Sequence, residues 1–129
     1  MNTEIISEFP DKEKRQKDFN CSIGFAMTVI GSKWRAIILW HILKNSHIRY
    51  GELKKGIPNI SHKVLAEELK KLEADSLITR KSYPEIPPKV EYNPTSRGQS
   101  LYKVLNELCI WGKEYMNYHN FILICKYIG

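Results

Sequence analysis

Between Ser61 and Pro94 the chain changes its period, and that change limits the fold more than any other feature. Over "SHKVLAEELKKLEAD" the apolar residues Val64, Leu65, Leu69 and Leu72 form one stripe of a helix, which turns His62, Lys63, Glu67 and Lys70 to the opposite side. "LITRKSY" (Leu77 to Tyr83) then alternates and is rich in strand formers, "PEIPP" (Pro84 to Pro88) cannot continue a strand, and "KVEYNP" (Lys89 to Pro94) reads as a second short strand. A helix therefore runs straight into a hairpin whose loop is stiffened by three prolines.

The segment upstream completes the pattern. In "RYGELKKGIPNIS" Tyr50, Leu53 and Ile57 fall on one side of a short helix, Gly56 and Pro58 end it, and Ser61 starts the next. A short helix, a tight turn and a second amphipathic helix make a helix-turn-helix. With the hairpin added, the expected fold is mainly α with a small β-hairpin wing, a winged helix-turn-helix.

Two helices are expected before it. "CSIGFAMTVIG" carries Ile23, Met27 and Ile30 at helical spacing and stops at Gly31. "SKWRAIILWHILKN" follows, capped by Ser32, with Trp34, Ile37, Ile38, Leu39, Ile42 and Leu43 inward and Lys33, Arg35 and Lys44 opposite. At the C-terminal end Val104, Leu108, Trp111, Tyr115, Tyr118, Ile122 and Cys125 recur at alternating intervals of 4 and 3. That period of 3.5 is the pattern by which a helix packs lengthwise on another helix. Gly112 lies inside it, where a bend or a close approach is expected. Residues 1–20 are polar and read as a flexible arm, and 21–129 as one domain, since 129 residues suit a single core.

Charge narrows the partner. The net charge is +6, and residues 32–89 alone carry twelve basic and six acidic side chains. A polyanion is the natural partner of such a segment, although a basic surface also serves solubility alone. No apolar run approaches the roughly 20 residues of a membrane span, and the acidic N-terminus lacks a secretion signal, so a cytosolic protein is expected. Cys21, Cys109 and Cys125 include no CxxC, and His41, His47, His62 and His119 show no ligand spacing. No metal, cofactor or catalytic constellation is implied, and an enzyme is not expected.

If residues 61–76 enter a major groove, the start of that helix reaches furthest. Ser61 would cap it and meet a phosphate, Lys63 a phosphate or a guanine edge, and His62 either; Lys70 follows on the same face. Glu67 repels phosphates, so it would accept from cytosine or pair with Lys63 or Lys71 within the helix. In the wing, Arg80 and Lys89 would enter or straddle a minor groove, with Lys81 on the other strand face. Arg49 and Lys54 would grip the backbone. A solvated charged face, and lysines that only guard strand edges, account for the same residues without DNA. Trp34, Trp40, Phe25 and Tyr50 read as core packing rather than a ligand pocket.

The segments "IGSKWRAIILWHIL", "RYGELKKGIPNISHKVLAEELKKLEAD" and "PEIPPKVEYNPTSRG", with "WG" at Trp111 and Gly112, closely resemble the HxlR family of bacterial transcriptional regulators, relatives of the MarR group. The resemblance covers about Cys21 to Gly112, and "PPKVEYNPTSRG" is its most specific part. It implies a winged-helix homodimer on operator DNA, joined by its first and last helices. For a subset of members it also implies a redox-sensing cysteine before the first helix, where Cys21 stands. A helix N-terminus favours the thiolate, the reactive form. This chain departs from the family at Ser76, usually glycine, and at Ala66, where a polar side chain is common. The alternative is a winged helix used only for protein contacts, because a fold does not fix a function.

Overall fold

The computed structural model describes residues 21–119. The expected 1–20 arm, Ile122 and Cys125 lie outside the described residues. The element order is α1 (Ser22–Ile30), α2 (Arg35–Asn45), β1 (Ile48–Arg49), α3 (Tyr50–Gly56), α4 (His62–Ala74), β2 (Ile78–Tyr83), β3 (Lys89–Pro94), α5 (Ser96–Gln99) and α6 (Tyr102–Tyr118). The helix-turn-helix and its hairpin stand where the change of period put them.

One strand was not foreseen. Ile48–Arg49 pairs antiparallel with β3, Ile48 opposite Tyr92 and Arg49 opposite Glu91, so the sheet has three strands in the order β1-β3-β2. Two residues are too few to show alternation, which is why the pattern was silent there. The strand has a clear effect: it ties the start of α3 to the wing.

The core lies between α2, α3, α4 and the inner face of the sheet. Ile38, Leu39 and Ile42 of α2 meet Leu53 and Ile57 around α3, Leu65, Leu69 and Leu72 of α4, and Ile78 and Tyr92 of the sheet, all buried. Burying each of the α4 leucines contributes about 1.5–3 kcal/mol, enough to fix which face of that helix turns outward. Trp34, Trp40 and Tyr50 pack half-buried against this core, as expected, with Trp40 stacked on Tyr102 of α6 at 5.4 Å.

Backbone punctuation sets the ends of α4. The turn before it passes through Asn59 at φ 69°, a left-handed conformation that asparagine tolerates. Ser61 caps the helix, its hydroxyl accepting from the Val64 N–H at 3.1 Å. At the far end Ser76 is left-handed at φ 61°. Its N–H donates to the Glu73 carbonyl and the Leu77 N–H to the Leu72 carbonyl, each at 3.0 Å. This is a Schellman close, with Leu72 and Leu77 both buried beneath it.

The "TSRG" segment fastens the wing to that close. The Thr95 hydroxyl donates to the Ser76 carbonyl at 2.6 Å and accepts from the Gly98 N–H at 3.0 Å, while the Thr95 N–H donates to the Leu77 carbonyl at 3.0 Å. A Cβ on Gly98 would lie 2.1 Å from the same Leu77 carbonyl oxygen. Only glycine lets α5 approach so closely, which gives the Thr-x-x-Gly spacing its physical reason.

One sequence expectation is corrected. Arg35 was expected on the polar side of α2 but is 8% exposed, because the neighbouring helix ends supply it with acceptors. At Gly112 α6 runs on, and apart from the helix's own backbone nothing lies within 4 Å of where a Cβ would stand.

Candidate nucleic-acid interface

The outward face of α4 and the wing bound an open cleft of about 790 Å³. Arg49 and Lys55 line it from α3 and the residue before it, Lys70 from α4, and Arg80 and Lys89 from the wing. Glu52 and Glu73 are the acidic groups on its walls, and Tyr50, Ala66, Val90 and Tyr92 give it an apolar floor. Four of the residues singled out from the sequence, Arg49, Lys70, Arg80 and Lys89, thus border one cleft, although the register turns Lys89 to the strand face opposite to Arg80, with Lys81 and Glu91. Lys55 was missed. Its neighbour Lys54 was chosen instead, but Lys54 is half-buried and does not line the cleft. The helical angle between adjacent residues, about 100°, decides which of the two lysines faces the wing.

Several of these side chains are held by their surroundings. Arg49 offers its backbone N–H to Glu52 Oε1 at 3.0 Å, fixing the start of α3. Arg80 stands opposite Tyr92 in the hairpin register. Burial pushes the Tyr92 hydroxyl above the usual phenol range, and Arg80 only partly opposes this. Lys89 lies 3.8 Å from Glu91 Oε2 and 4.5 Å over the Tyr83 ring. Lys81 reaches the same ring at 5.0 Å. The two lysines therefore flank one tyrosine, and the Tyr83 hydroxyl donates to Glu91 at 3.3 Å.

The start of α4 divides differently. Ser61, His62, Lys63 and Glu67 are exposed, as the stripe required. Ser61 spends its hydroxyl on the helix cap. His62 Nδ1 and the Tyr50 hydroxyl are 3.0 Å apart, and the two rings stack at 5.9 Å. His62 is thus anchored to α3, whereas Lys63 and Glu67 stand outside the cleft on the open side of the helix.

Cys21 is exposed and caps α1, its Sγ accepting from the Gly24 N–H at 3.3 Å. Along α6 the seam residues Val104, Leu108, Trp111, Tyr115 and Tyr118 are all exposed, Trp111 at 62%, while Leu105 alone is buried. Ile23 and Met27 of α1 are exposed as well. Among the described residues no group of three or more His, Cys, Asp or Glu could hold a metal ion. Nor is any single helix there long and apolar enough to cross a membrane.

The model of the HxlR-like helix-turn-helix family matches residues 29–120. The chain belongs to the HxlR-like helix-turn-helix family. It is accordingly a DNA-binding regulator of transcription. The Fusobacterium mortiferum protein named as regulatory protein MalR is 47% identical over 104 residues, which cover 81% of this chain and 97% of that one. A solved MarR-family transcriptional regulator from Porphyromonas gingivalis W83 is similar at a TM-score of 0.69 and 40% identity, covering 74% of this chain and 92% of that one. The redox regulator HypR in its oxidized form is similar at 0.68 and 34%, covering 73% and 96%. Against this HxlR-like background the cleft occupies the angle between the second helix of the motif and its wing, and the seam residues lie on the last helix.

Proposed function

We propose that the protein binds an inverted-repeat operator as a cytosolic homodimer, joined through α1 and α6, and acts by binding rather than by catalysis. The observation that carries the DNA face is the convergence of Arg49, Lys55, Lys70, Arg80 and Lys89 on one cleft between α4 and the wing. Phosphates following that cleft would be met from two elements at once, while Lys63 and Glu67 at the outer start of α4 address base edges. Ser61, His62 and Lys54 have supporting parts: the first caps α4, the second locks it to α3, and the third lies beside the phosphate path. The exposed apolar residues of α1 and α6 support the dimer, because a seam of period 3.5 facing water lacks the helix it is patterned for. Two recognition helices related by a two-fold axis then reach major grooves about 34–36 Å apart.

Cys21 is the residue through which an oxidant would act. It is exposed, it sits at a helix start, and the similar protein HypR is a redox regulator. Oxidation there alters the outer end of α1, which belongs to the dimer contact.

The test is a fluorescence-polarisation selection of genomic duplexes at several salt concentrations, with bound fragments sequenced. One enriched palindrome, with log affinity falling steeply against log salt, is the expected result. Binding without enrichment or salt dependence would instead assign the basic face to a protein partner. Cys21→Ser should then remove the effect of a peroxide on operator affinity; an unchanged effect would end the redox reading.

A further inference from the structure

The recognition helix α4 carries one buried charge on its inner face. Glu68 is 7% exposed, among Leu65, Leu69 and Leu72. Its Oε1 accepts from the Ser32 hydroxyl at 2.6 Å and lies 3.4 Å from Arg35 Nε. The same Arg35 donates from Nη1 to the carbonyls of Thr28 at 3.1 Å and Val29 at 3.0 Å. Those carbonyls belong to the last turn of α1, where helix geometry leaves them without intrahelical donors. Arg35 therefore holds the C-terminal end of α1 with one edge of its guanidinium and faces α4 with the other. Ser32 completes the joint by also accepting from the Arg35 N–H at 3.2 Å.

This joint lies where α1 meets the core. Its nine residues span about 13 Å, and among the described residues Ile30, at the end beside Arg35, is its one buried residue, with Val29 half-buried against the core next to it. Cys21, Ile23 and Met27, nearer the start of the helix, are exposed. A contact at one end of a helix sets the direction of the other, so the Arg35 joint bears on where the start of α1 points.

We propose that Glu68 is a positioning residue which, through Ser32 and Arg35, couples the direction of α1 to the recognition helix, so that operator binding and the state of α1 influence each other. This rests on the DNA-binding reading and adds to it the route by which a change at the dimer helix reaches the DNA face. The coupling is reciprocal: if α1 alters operator affinity, operator binding alters α1 by the same factor. A pivot of planar geometry is needed, because lysine offers one point charge and cannot donate to two carbonyls while its charge stands 3.4 Å from the carboxylate, as Arg35 does through Nη1 and Nε.

Amide hydrogen exchange of residues 22–30, with and without a duplex selected by the wild-type protein, tests it. In the wild type, operator binding should change α1 exchange at least fivefold, although α1 carries none of the cleft residues. Glu68→Gln keeps an acceptor for Ser32 but loses the ion pair, and Arg35→Lys keeps the charge but loses the fork. In each, the DNA-dependent change should fall below twofold while a cooperative thermal transition persists. Lys71→Gln is the control. Lys71 Nζ lies 3.3 Å from Glu68 Oε2 on the same helix and is 59% exposed, so it touches the carboxylate without touching α1 and should leave the change intact. No change at α1 in the wild type, or an equal change in wild type and both folded pivot variants, would overturn the proposal. A wild type that binds no duplex fails one step earlier and removes the DNA reading itself.

Discussion

Ser76→Gly should stabilise the protein, and the size of the effect can be worked from the backbone. Ser76 sits at φ 61°, at the position where the resemblance to the family implies glycine. A residue with a Cβ loses about 1–2 kcal/mol in the left-handed region. Glycine removes that strain but gives the unfolded chain more freedom, which costs about 0.5–1 kcal/mol. The central values leave about 0.75 kcal/mol in favour of glycine. Both native hydrogen bonds at this position use the backbone, the N–H to Glu73 and the carbonyl from Thr95, so the substitution keeps them. For a domain of this size, such a gain raises Tm by about 2–8 °C. Thermal and urea unfolding at one fixed protein concentration would measure it, since any self-association makes Tm depend on concentration. Ser76→Ala is the control. It deletes the hydroxyl but retains the Cβ, and should leave stability near that of the wild type. If glycine gave no gain, or alanine matched it, the left-handed strain would not be the reason for the difference from the family.

Three further outcomes follow from the same contacts. Gly98→Ala would put a methyl 2.1 Å from the Leu77 carbonyl oxygen, which the Thr95 N–H already holds; overpacking against backbone should cost about 3 kcal/mol or more, read as a lower urea midpoint at unchanged m. Lys70→Gln and Arg80→Gln should each reduce the slope of log affinity against log salt by about 1, while an unchanged slope would move the phosphate path out of the cleft. Burial holds the His41 imidazole below its ordinary value of 6.5, so the unfolded chain takes up a proton there first. The stability that neutral His41 contributes is present above that value and is lost as pH falls through the folded one, and His41→Asn should flatten unfolding free energy against pH just below 6.5.

The wing and the second helix of the motif were legible because each has a long, uninterrupted period, 3.6 for α4 and 2 for the hairpin. The turn residues around them were legible for a related reason: Pro58, Ser61 and the prolines of the loop each restrict the backbone in a known way. What the sequence did not disclose was short or composite. Two residues of β1 carry no period. The choice between Lys54 and Lys55 turns on one step of a seven-residue helix. The function of Thr95 and Gly98 is visible only when the Schellman turn they touch is known, since their partners, Ser76 and Leu77, are about twenty residues earlier.

Arg35 and Glu68 were missed for a deeper reason. A helical stripe assigns every charged residue to the water side, because a lone buried charge costs several kcal/mol. That rule fails where other elements deliver acceptors and donors to one point. Burial alone would push the Glu68 carboxyl up, but the Ser32 hydrogen bond, Arg35 and Lys71 together outweigh it and hold the group below its ordinary value of 4.5. The carboxylate is therefore the preferred form in the folded protein, and the stability it contributes is lost only as pH falls below that value through the folded one. The two charges are 33 residues apart in sequence, on two helices, and are completed by carbonyls from a third. No single-element pattern contains that arrangement. The positions that sequence periodicity reads least well are thus the ones at which α1, α2 and α4 are joined.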